Sequence, residues 1–149
     1  MKKTIITESI VFLLVLLWVY AGFSKLLVYD QFRFQLLGHD LLMDHAGLIA
    51  WLVPFVEIAI ALLLCINRTR LTGYYASAVM LIVFTGYIIY MFNFYPNKPC
   101  SCGGIISRLS WKQHIVFNLF FLIISLIAIR LEKKTDRPDN RRLLTAAMA

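Results

Sequence analysis

Two thiols stand one residue apart in the run Pro99-Cys100-Ser101-Cys102-Gly103-Gly104. A close thiol pair can cycle between dithiol and disulfide, and that is the first chemistry this chain suggests. A bridge between Cys100 and Cys102 closes a very small ring, whereas an unstrained disulfide holds its Cα atoms about 5.5 Å apart. The segment must therefore turn, and Gly103 and Gly104 permit the backbone angles of such a turn. A strained bridge is easier to reduce than a structural one, as an exchanging pair requires. Lys98, Arg108 and Lys112 flank the motif, and Ser110 can cap a helix that starts just after it. Positive charge and a helix N-terminus both favour thiolate, the attacking species. Two other readings stay open: a static disulfide that pins the segment, and a soft-metal site completed by His39, His45 or His114. Redox exchange fits best, because the metal reading needs three dispersed histidines to converge.

Four more residues carry polar chemistry inside apolar surroundings. Glu57 lies amid a long apolar run, one helical turn after Pro54, where an ionised carboxylate is expensive and must find a partner or a hydrated cavity. Lys25 is the partner within reach, its long stem able to extend inward. Glu57 is thus either a proton acceptor and quinone-binding group or one half of a structural Lys25–Glu57 clamp. His114 and Asn118 share a helix face at i, i+4 spacing. They either continue a polar track inward from the thiols or join helices as buried amides and imidazoles commonly do.

The elements that must position these residues are set by composition. Of 149 residues 60% are hydrophobic and 15% charged, against roughly 25% charged in a soluble domain. A spanning helix needs about 20 mostly apolar residues. Four segments meet that length, at about 5–27, 47–66, 74–95 and 111–131. The first has Lys2 and Lys3 ahead of it but is longer than a signal-peptide core and lacks a small-residue cleavage site, so it reads as a retained helix. The fold class is all-α integral membrane, a four-transmembrane-helix bundle in one domain, with a charged, Pro138-containing tail at 132–149 expected to be frayed or disordered.

The net charge of +7 comes from basic residues at the ends of apolar segments, the pattern of membrane topology rather than of nucleic-acid binding. With both termini on one side, that side carries ten basic residues and the other five. The positive-inside rule then places the termini in the cytoplasm and the Cys-x-Cys segment on the outer side, where disulfides persist. Basic tail residues can rest on anionic membrane lipids. Residues 28–46 mix Phe32, Leu36, Leu37, Leu41 and Leu42 with charged residues, which predicts a short interfacial helix on the outer side, broken near Gly38. Cys65 falls at the cytoplasmic end of the second span and reads as a packing residue. Ser24, Ser77, Thr85, Gly22 and Gly86 read as close-packing positions, and Trp18, Trp51, Tyr87, Tyr90, Tyr95 and Trp111 as an aromatic girdle and core filling.

The run Tyr20-Ala21-Gly22-Phe23-Ser24-Lys25-Leu26, the Pro54-x-x-Glu57 of the second span and the Cys-x-Cys after the third resemble the MauE branch of the DoxX-like membrane proteins. The resemblance extends from about residue 5 to 131, and Gly103-Gly104 stands where that family more often carries an aromatic. It implies that Cys100 and Cys102 match the family's thiol pair and that Lys25 and Glu57 match its intramembrane polar positions. It also implies a thioredoxin-like periplasmic partner and a role in forming disulfides in a client protein. The architecture is similar, too, to four-helix quinone-linked disulfide-forming enzymes, whose Cys-x-x-Cys is absent here. The expected function is a membrane thiol–disulfide oxidoreductase, with Cys100, Cys102, Glu57 and His114 as catalytic candidates. Glu57, Lys25 and Asn118 are candidates for a quinone pocket. The alternatives are a non-catalytic scaffold with a static disulfide and a soft-metal-handling protein.

Overall fold

The computed structural model describes residues 2–37, 43–94 and 111–147, with side chains described at 5–34, 36–37, 43–94 and 112–133. The described chain contains no strand. It forms α1 (Lys2–Leu27), α2 (Tyr29–Leu37), a short 3-10 turn (Met43–His45), α3 (Ala46–Cys65), α4 (Arg70–Phe94) and α5 (Trp111–Ala147). Four stretches are long and apolar enough to cross a membrane: Ile5–Leu27, Met43–Cys65, Arg70–Phe94 and Lys112–Lys133. The nine-residue α2 stands in the segment where a short helix was expected, and it ends one residue before Gly38. α5 differs from expectation, because its backbone stays helical through Pro138 to Ala147 instead of fraying after the span.

Successive spans run antiparallel. Arg70, opening α4, pairs with Glu8 near the start of α1 at 2.7 Å, while Lys25 near the end of α1 meets Glu57 in α3. The bundle therefore has two ends: one at the Ile66–Thr69 turn between α3 and α4, and one covered by α2. Thr69 ties the first end together, its hydroxyl donating to Leu63 O and its N–H to Ile66 O.

The core of the bundle includes Leu14, Trp18, Leu64, Tyr74, Leu81 and Ala128. The outward faces are also apolar, with Phe12, Leu16, Val79, Ile82, Val116 and Ile123 all exposed. That is what a hydrocarbon solvent selects, and it obliges buried polar groups to bond internally. Trp18 Nε1 donates to Ser77 Oγ, Thr85 Oγ1 to Leu81 O, and Ser125 Oγ to Tyr74 O. Ser77 and Thr85 thus bond as well as pack, and Trp18 is core rather than girdle. Cys65 is exposed at the end of α3 and does not pack inside, a correction with a simple cause: it follows buried Leu64 by one residue, which turns it about 100° away from the core.

Gly22 lets α1 and α3 approach closely. A Cβ there would stand 2.9 Å from Ile58 Cγ1 and 3.2 Å from Pro54 O. Gly86, expected to pack in the same way, meets nothing within 4 Å. Gly22→Leu should accordingly destabilise the bundle by about 1–3 kcal/mol through overpacking. Gly86→Ala should be neutral or stabilising by up to about 1 kcal/mol through helix propensity. Denaturant titration of both variants in one detergent checks the contrast, and equal losses would contradict it.

Candidate functional site

The Gly22 crossing explains how a lysine and a glutamate meet inside the membrane. Helical side chains lean towards their own N-terminus. Lys25, one turn beyond Gly22, therefore leans back along α1, and Glu57, one turn beyond Pro54, leans back along the antiparallel α3. The two side chains converge, with Lys25 Nζ 2.7 Å from Glu57 Oε1. Lys25 Nζ also lies 3.4 Å from Ala21 O, one turn back on its own helix, and 5.4 Å from the centre of the Phe84 ring on α4. Glu57 is completely buried and the Lys25 side chain 9% exposed.

This pair lines a cavity of about 230 Å³ at the α2 end of the bundle. A single water needs roughly 10–15 Å³ by the same measure, so the space far exceeds a packing defect and admits a ring-sized ligand. Its polar lining comes from Ser24, Lys25, Glu57, Tyr87, His114 and Asn118. The remaining wall is apolar and aromatic, with Trp18, Phe84 and Phe117 from three spans and Phe32 and Leu36 from α2. Leu36 packs on Ala46 and Ala50 of α3, which holds α2 against the opening. His114 and Asn118, one turn apart on α5, are both 6% exposed. Among the described residues, Glu57 Oε2 and His114 Nδ1 are buried without a hydrogen-bond partner.

The structure thus gathers Lys25, Glu57, His114 and Asn118 into one space. Cys100 and Cys102 lie outside the described residues, as do Lys98, Arg108, Ser110 and His39. The segment that carries both thiols leaves α4 at Phe94 and enters α5 at Trp111, so both of its attachment points are at the cavity end. His45 is exposed in the 3-10 turn, apart from buried His114. Among the described residues no three histidine, cysteine or carboxylate side chains form a metal-binding group.

Sequence reasoning missed Phe84, Phe32 and Leu36 as lining residues. In α4 the apolar letters run almost unbroken, and nothing in their pattern sets Phe84 apart from exposed Ile82. One signal could have found Phe84: it lies one turn after Leu81 and one before Ile88, two buried positions on the inward face of α4.

Four spanning-length helices around an enclosed ion pair define a multi-pass integral membrane protein. The chain belongs to the MauE family, described as methylamine utilisation protein MauE, whose model matches residues 3–131. No curated protein and no solved structure gave a match.

Proposed function

We propose that this protein is an inner-membrane thiol–disulfide redox protein. It moves two electrons between the Cys100–Cys102 pair and a periplasmic thioredoxin-like protein or client, with a membrane quinone as the second carrier. The observation that carries this reading is the cavity. A buried ion pair, an imidazole and an amide face an aromatic-walled space at the end of the bundle from which the two-cysteine segment departs. The basic-residue bias supports the same orientation, with that end towards the periplasm.

The chemistry balances without any other reagent. Two thiols lose two electrons and two protons as one S–S bond forms, and a quinone gains two of each to become a hydroquinone. Exchange with the protein partner runs through a mixed disulfide: a thiolate attacks one sulfur of a disulfide and the other sulfur leaves as thiolate. Glu57 and His114 would hold or pass protons at the carrier's oxygens, with Lys25 orienting Glu57. The family's description names methylamine utilisation. The reading here concerns a disulfide-handling step applied to an exported protein, whatever that protein's own reaction.

The Lys25–Glu57 pair would serve a non-catalytic scaffold equally well as a clamp between α1 and α3, so one experiment must separate the two. Purified reduced protein is mixed anaerobically with a short-tailed benzoquinone, and oxidised protein with the corresponding hydroquinone. One of the two mixtures should convert one carrier per Cys100–Cys102 pair. Absence of stoichiometric conversion in both directions leaves the scaffold.

A further inference from the structure

Resting on the thiol–quinone reading above, we infer that the cavity prefers the reduced, hydroxyl-bearing form of its carrier, a lipid-tailed hydroquinone, which favours the step that passes electrons from the Cys100–Cys102 dithiol to a bound quinone. The hydrogen-bonding groups around the space decide which form fits. Several of its donors are already engaged: Trp18 Nε1 donates to Ser77 Oγ, Ser24 Oγ to Ala21 O, and Lys25 Nζ to Glu57 Oε1 and Ala21 O, while unpartnered His114 Nδ1 donates or accepts according to tautomer and so suits either form. Beside His114 Nδ1, the group left unanswered among the described lining residues is an acceptor. Glu57 Oε1 is held by Lys25, and among the described residues Glu57 Oε2 has no donor although its residue is wholly buried.

A quinone offers only carbonyl acceptors, which would set oxygen lone pairs against Glu57 Oε2. A hydroquinone offers an O–H in the same place and satisfies the carboxylate with a charge-assisted hydrogen bond. Asn118, with both a donor and an acceptor, can serve either form. The lining also says where such a ligand comes from. Val83 borders the cavity yet is 57% exposed on a spanning helix, so the space reaches the lipid-facing surface beside α4. A carrier with a hydrocarbon tail can place its ring inside and leave its tail in the bilayer.

Preference for one redox form shifts the potential of the bound carrier by linkage and leaves the equilibrium with the free carrier pool unchanged. A site that binds the hydroquinone more tightly makes the bound quinone a stronger oxidant, and each tenfold in that ratio raises its potential by about 30 mV. Dithiol plus quinone then gives disulfide plus hydroquinone, with both electrons and both protons accounted for.

The test uses the full chain in lipid nanodiscs without oxygen. A decyl-tailed benzoquinone and its hydroquinone are titrated separately, with the fluorescence of cavity-lining Trp18 as one contributor to the signal. The hydroquinone should bind about tenfold or more tightly than the quinone, the scale of one hydrogen bond to a charged group. Glu57→Gln should bring the ratio close to one. Should that variant fail to fold, the wild-type ratio decides alone: equal or tighter quinone binding overturns the inference, as does no saturable binding of either. A preference that persists without any thiol–quinone conversion would instead defeat the redox reading and leave the binding site standing.

Discussion

Lys25→Met should destabilise the bundle by about 3–5 kcal/mol, the usual consequence of removing one partner from a buried ion pair. Glu57 is fully buried, its Oε1 sits 2.7 Å from Lys25 Nζ, and its Oε2 has no partner among the described residues. Without Lys25 the carboxylate keeps no countercharge in a region whose walls are mostly apolar. The double variant Lys25→Met, Glu57→Gln removes both charges and should regain most of the loss, since neutral replacement of a buried pair is often tolerated. Reversible unfolding of the three proteins in mixed micelles measures both effects. A single variant as stable as wild type would show that the pair does not clamp α1 to α3. Assayed for thiol–carrier conversion, the refolded double variant then separates the two roles of Glu57. Retained stability with lost conversion assigns Glu57 to chemistry, whereas retained conversion leaves it a clamp.

The second large effect concerns the thiols. Cys100→Ser with Cys102→Ser should reduce two-electron conversion of the carrier to the uncatalysed background while leaving the stability of the helical core unchanged. A bridge between residues one apart closes too short a loop to stabilise folding much, so its loss costs the core little. Each single serine variant has one thiol left and cannot close the internal bridge. The variant that keeps the attacking thiol should accumulate a mixed disulfide with its partner protein, visible as a reducible band shift. Wild-type conversion by the double variant would remove the cysteines from the mechanism.

The spans were readable because length and apolar content alone mark a membrane helix. Lys25 and Glu57 were readable for the opposite reason, as charges inside runs that exclude charge. The cavity was not. In a soluble helix the change from apolar to polar marks which face is inside. Here Leu81 faces the core and Ile82 the lipid with equally apolar side chains, so the letters cannot sort wall from exterior. Gly22 and Gly86 make the same point: both are glycines in spans, but only Gly22 has a neighbouring helix against it. The helical continuation of α5 beyond its span was hidden by charge and by Pro138, both of which read as signals to stop.

Exchange of electrons by Cys100 and Cys102 in the cell is directly measurable. Cells would be acid-trapped and their thiols alkylated with a mass tag, before and after respiration is blocked. Cys65, at the opposite end of α3 from the cavity, serves as the expected reduced control. The account predicts a mixed population of dithiol and disulfide that shifts towards dithiol when the membrane carrier pool becomes reduced. A pair that stays fully oxidised in every state would contradict it and leave a static disulfide pinning the segment between α4 and α5.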